Sequence, residues 1–75
     1  MNSTTEIDVC GMAPPEPFEV ILPALYTLVP GATLQVLIHR EPFPLYDFLR
    51  NSGYTWKTCR LFNNNFRIRI TRAAF

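Results

Sequence analysis

The sequence predicts an α+β fold, a two-layer α/β sandwich of order βαβαββ, and three observations carry that reading. Two segments repeat apolar residues at three- and four-residue steps, four segments read as β runs, and Pro- or Gly-rich stretches separate them. A chain of 75 residues with 48% hydrophobic content builds one core, so 1–75 is read as a single domain with its ordered part at about 6–72. Surface scaling leaves roughly 4,700 Å² exposed of roughly 12,500 Å² in the unfolded chain, about 60% buried. So thin a core argues against a deep catalytic cavity and for a site at the ends of elements.

Met1 to Thr5 is polar and predicts a frayed start. The first strand is expected at about Glu6–Val9, stopped by Gly11 and the run Ala13-Pro14-Pro15-Glu16-Pro17. Pro17 suits a first helical turn, and Glu16 and Glu19 place negative charge at the positive end of the helix dipole. Phe18, Ile21, Leu22, Leu25, Leu28 and Val29 then share one helical face, so the first helix is expected to reach about Val29 and to close at Pro30-Gly31. Pro23 falls on the opposite side of the wheel, which predicts a bend rather than a break.

Thr33 to His39 places Leu34, Val36 and Ile38 on one face and Leu37 on the other, the pattern of an interior strand. Leu45, Phe48 and Leu49 predict a short second helix ending at Gly53. Tyr54–Phe62 and Phe66–Arg72 read as a hairpin around Asn63-Asn64-Asn65. A two-residue turn would set Cys59 and Leu61 toward the core and leave Trp56, Thr58, Arg60 and Phe62 beside Arg67 and Arg69, whereas an odd-length loop would reverse these assignments. The element order implies a right-handed crossover between parallel strands, with both helices on one sheet face and the other face open.

Seven Lys+Arg against six Asp+Glu give a net charge of +1, too little to draw nucleic acid or a membrane surface by long-range attraction. No segment approaches the roughly 18 apolar residues of a membrane span and no leader pattern opens the chain, so a cytoplasmic location is expected. Cys10 and Cys59 are expected as reduced thiols.

The stretch Ile7-Asp8-Val9-Cys10-Gly11-Met12-Ala13-Pro14-Pro15-Glu16-Pro17, followed by an apolar helix and Pro30-Gly31-Ala32-Thr33-Leu34, resembles the opening of the TusA/SirA-like sulfur carriers. Pro15-Glu16-Pro17 matches the Pro-x-Pro of that family, and Pro14 stands where its persulfide-carrying cysteine would be. His39-Arg40-Glu41-Pro42-x-Pro44-Leu45-Tyr46 is similar to the segment marking an uncharacterised branch of the same fold that lacks the cysteine. The resemblance implies a mixed four-stranded sheet in order 1-2-4-3 with the last strand antiparallel. It also implies a partner protein, since some members of the branch accompany hemerythrin-like or nitrogen-oxide-handling proteins.

A sulfur carrier needs a thiolate at a helix N-terminus, where amides and the dipole stabilise the anion, and proline cannot supply one. Cys10 is the nearest substitute, either as a reactive thiol or as a structural cysteine; Cys59 reads as a small apolar filler. Parallel strands bring both strand-to-helix turns to one end of the sheet, gathering Cys10, Pro14, Pro15, Glu16, Pro17, His39, Arg40, Glu41, Pro42, Pro44 and Tyr46. An anion or a partner's acidic group could dock there, with Arg40 donating and His39 titrating; alternatively Arg40 and Glu41 are a solvated pair. Cys10, His39 and Glu41 have metal-ligand chemistry but no ligand spacing, so no metal, cofactor or catalytic residue is assigned.

The expected function is a non-enzymatic binding or accessory module acting at that end on a partner protein or small ligand. A divergent sulfur relay through Cys10 is the alternative. Single-stranded nucleic acid on the open face, through Trp56, Arg60, Arg67 and Arg69, is the second, weakened by the lack of basic excess.

Overall fold

Leu34, Val36 and Ile38 alternate along one strand with half-buried neighbours, and that alternation decides which side of the sheet is covered. The computed structural model describes residues 4–72, as β1 (Thr4–Asp8), α1 (Glu16–Tyr26), β2 (Thr33–Ile38), α2 (Phe43–Asn51), β3 (Tyr54–Arg60) and β4 (Phe66–Arg72). The strands form one mixed sheet in order β1-β2-β4-β3, with β1 parallel to β2 and β4 antiparallel to both β2 and β3. Opposite Leu34 and Val36 stand Ile70 and Ile68, and all four join Ile21 and Leu25 of α1 and Leu45 and Leu49 of α2 in one core. Both helices therefore cover the same face, and the other face is open.

α1 starts with Pro17 in its first turn and Glu16 and Glu19 beside it, and runs unbroken through Pro23 on its exposed side. It stops at Tyr26, three residues short of the expected Val29. Thr27 Oγ1 donates to the Ala24 carbonyl, Leu28 N–H donates to Leu25 O, and Pro30 disfavours a helical Val29. Leu28 is still buried in this last turn, but Val29 is exposed and leaves the apolar stripe. α2 ends as expected, with Gly53 at φ +82°. β1 lies two residues earlier than expected at its start, because Thr4 and Thr5 pair with Thr33 and Leu34; Val9 is fully buried and donates to Leu37 O. The expected frayed start at Met1–Ser3 lies outside the described residues.

The hairpin turns through three residues, Phe62, Asn63 and Asn64, between a Leu61 N–H···O Asn65 bond of 2.7 Å and its flanking strands. Asn64 adopts φ +67°, the left-handed conformation that closes such a loop. The odd length reverses the face assignments of a two-residue turn. Trp56, Thr58 and Arg60 pair with Ile70, Ile68 and Phe66 on the helix side, while Cys59 and Lys57 stand beside Arg67 and Arg69 on the open face. Cys59 is thus an exposed thiol and not a core filler. The grouping of Trp56 and Arg60 with Arg67 and Arg69 is likewise overturned.

Placing a β-branched side chain at that left-handed position tests the loop. Asn64→Val should lower unfolding free energy by about 1–2 kcal/mol, whereas Asn64→Gly should stay within about 0.5 kcal/mol. Equal losses in urea titrations would show that the Arg60–Asn64 side-chain bond, and not the backbone conformation, holds the turn.

Candidate functional site

Both turns leaving β1 and β2 are built around proline, and each is tied to the other. Asp8 Oδ1 accepts the Cys10 N–H at 2.9 Å, Gly11 turns at φ +83°, and Gly11 N–H then donates to His39 Nδ1 at 3.1 Å. That last bond joins residues 28 positions apart and uses the imidazole as an acceptor, so Nδ1 carries no proton in this arrangement. The Pro14–Pro15 peptide is cis.

Between the two turns lies an apolar cleft of about 200 Å³ lined by Met12, Pro14, Pro17, Phe18, Ile38, His39, Arg40, Glu41, Pro42 and Pro44. Of the expected site residues, Pro14, Pro17, His39, Arg40, Glu41, Pro42 and Pro44 meet here. Cys10, Pro15, Glu16 and Tyr46 do not line it. Met12, Phe18 and Ile38 complete the wall; Phe18 and Ile38 read from the sequence simply as core, and Met12 carries no signal of its own. The hairpin tip reaches the same end of the sheet, because Ile38 pairs with Phe66, and it presents a fully exposed Phe62. Phe43, at the start of α2, is exposed as well.

The helix starts do not form the anion site that their convergence suggests. At α1 the N-cap and second positions are Pro15 and Pro17, and the amides beside them are spent: Glu16 N–H on Ala13 O at 2.9 Å, Phe18 N–H on Pro15 O at 3.0 Å. At α2 the same holds, with Pro42 and Pro44 in place, Phe43 N–H on Glu41 O at 3.1 Å and Leu45 N–H on Pro42 O at 3.0 Å. An anion would find no unpaired amide at either start, so the cleft favours apolar groups. Nor do Arg40 and Glu41 form an ion pair; among the described residues the ion pair is Asp47 with Arg50.

Glu41 instead accepts from the Tyr46 hydroxyl at 3.1 Å, and the same hydroxyl lies 2.6 Å from Thr58 Oγ1. Tyr46 is buried, stacks on Trp56 at 5.3 Å and meets Phe43 edge-on at 5.8 Å, with the Arg50 guanidinium over the Trp56 ring. Burial first, and the Glu41 carboxylate with it, push its phenol pKa up. Tyr46 therefore positions the rim of the cleft and does not line it. His39 and Glu41 each have a committed side chain, and among the described residues no three His, Cys, Asp or Glu converge as a metal site.

Cys10 is half-buried, and its thiol pKa is raised, first by desolvation and then by the hydrogen bond and charge of Asp8. Accepting from Cys10 lowers the Asp8 carboxyl in turn. A raised thiol is the opposite of what a persulfide carrier needs.

Fold and cleft define a class of small two-layer α+β domain in which two proline-led helix starts border one apolar hollow. The chain belongs to the family described as an uncharacterized conserved protein, DUF2249, whose model matches residues 6–72. No curated protein and no solved structure matches it.

Two measurements follow from this geometry. In a Cys59→Ser background, alkylation of Cys10 should rise with pH through a midpoint above the ordinary thiol range, and Asp8→Asn should move it down; a midpoint below neutral pH would instead mark an activated thiol. Removing the hydroxyl in Tyr46→Phe should cost about 1 kcal/mol, and Tyr46→Ala about 3–5 kcal/mol, in denaturant unfolding.

Proposed function

We infer that the chain is a small non-enzymatic binding module that takes an apolar side chain of a partner protein into the cleft between its helix starts. The observation that carries this is the cleft itself: proline, Met12 and Ile38 form its walls, and the leading amides of both helices are already paired. A concave apolar surface with a few polar groups on its rim is the usual form of a recognition site. The two exposed rings at the same end, Phe62 and Phe43, enlarge the apolar area available to a partner.

The likeness to TusA/SirA-like carriers supports the same reading, since Pro14 replaces the persulfide cysteine and the raised Cys10 thiol does not take its place. By the same likeness, a hemerythrin-like or nitrogen-oxide-handling protein is the partner to test first. Among the described residues no helix is long and apolar enough to cross a membrane; a cytoplasmic location is part of the proposal.

Titrating labelled protein with N-acetyl-leucinamide, as a stand-in for an aliphatic side chain, should move the amides of Met12, Phe18 and Ile38, and Met12→Glu should abolish the effect. With a hemerythrin-like candidate, shifts confined to residues remote from Cys10–Pro17 and His39–Tyr46 would overturn the assignment.

A further inference from the structure

The open face of the sheet carries its side chains in three rows that the pairing registers fix. Thr4, Thr33, Thr71 and Thr55 form one row; Glu6, Gln35, Arg69 and Lys57 the next; Asp8, Leu37, Arg67 and Cys59 the third. The acids all lie on β1 and the bases all lie on β4 and β3. Glu6 is already held by the Gln35 amide, and two strands separate it from Lys57.

Lys57 and Arg69 stand directly opposite each other, where Cβ atoms are about 4.5–5.5 Å apart and like charges repel. Neither forms an ion pair among the described residues. Beside them the strands open into a shallow depression of about 290 Å³, bordered by both cations, by Thr33, Thr55 and Thr71, and by Trp56. Thr55 and Thr71 are bonded to each other at 2.8 Å, which uses one of their two protons and leaves the other to donate outward. In the next row Arg67 Nε is shut off from solvent without a hydrogen-bond partner. The β4 and β3 side of the face thus gathers donors and positive charge, while the two carboxylates of the face, on β1, already accept from Gln35 and from the Cys10 amide.

We propose that this depression binds the phosphate group of a small phosphorylated molecule. A phosphate monoester carries about −1.5 to −2 charges and three strong acceptor oxygens, which suits two cations and a set of hydroxyls better than the single charge of a carboxylate. Nucleic acid fits less well, because its bases need rings to stack on. Trp56 borders the depression, but its ring is engaged in the stack on Tyr46 at the helix side of the sheet, and Phe66 pairs with Ile38 on that side. The site is independent of the apolar cleft, which lies on the helix side at the end of the sheet.

Amide-shift titrations at constant ionic strength, with inorganic phosphate and with glycerol phosphate, test this directly. Both should give saturable shifts at Thr55, Lys57, Arg69 and Thr71. Lys57→Met, an exposed change that leaves the core untouched, should weaken both about tenfold, the equivalent of one charge-assisted hydrogen bond; Thr71→Val should weaken them less. Shifts no larger than those with chloride, or an affinity unchanged in Lys57→Met, would overturn the proposal. So would tighter binding of a short oligothymidylate than of glycerol phosphate at the same residues, which would assign the face to a polymer.

Discussion

The antiparallel pairing of β2 with β4 is the constraint on which this molecule depends. It joins a parallel βα unit to a hairpin that has no core of its own, since an isolated hairpin is marginal in water. Leu34 against Ile70 and Val36 against Ile68 are all essentially inaccessible to solvent, and each such side chain contributes about 1.5–3 kcal/mol by leaving water. Every other placement follows. The register sets which face the helices must cover, and it brings the hairpin tip to the same end as both strand-to-helix turns. A one-residue slip would turn Arg67 and Arg69 into the core and expose Ile68 and Ile70.

Much of this was legible from residue pattern, and the failures share a cause. Element types and order follow from periodicity, and α2 is framed by Pro42 and Gly53. The hairpin register was not decidable because three consecutive asparagines offer several turns, all compatible with local chemistry. Only the fit of Trp56 against Tyr46 and of Ile68 and Ile70 against the helices selects the one that puts Asn64 in the left-handed region. Cys59 and Arg60 changed faces for that reason alone. The end of α1 was overestimated because Leu28 and Val29 continue the apolar spacing, while the Thr27 hydroxyl and Pro30 end the helix through backbone chemistry that periodicity does not register. At the site, both proline turns could be read as neighbours from topology. The bond between Gly11 and His39, and the engagement of Glu41 by Tyr46, are long-range or geometric and leave no mark in spacing.

Tyr46 links the two sides of the structure. Its ring fills the space between α2 and β3, and its hydroxyl reaches Thr58 on the strand and Glu41 on the rim of the cleft. His39 performs the corresponding task on the opposite wall by holding the Gly11 turn. Two of the polar side chains bordering the cleft, His39 and Glu41, are therefore engaged within the fold, while Arg40 stays exposed at its edge. Engaging them limits the polar groups that an apolar partner would have to desolvate.

A net charge of +1 conceals a strong division of labour. Helix starts ordinarily attract anions because their first amides lack partners. In this chain proline occupies two of the three leading positions at each start and the remaining amides are bonded, while Glu16 and Glu19 add negative charge to α1. Positive charge is placed instead on the uncovered side of the sheet, at Lys57, Arg67 and Arg69. The end of the domain thereby presents apolar surface and the uncovered side of β4 and β3 presents positive charge, the reverse of the usual assignment for a parallel βα unit. The two surfaces are distinct, and the strands β2 and β4 that carry Ile38 and Arg69 are the common support of both.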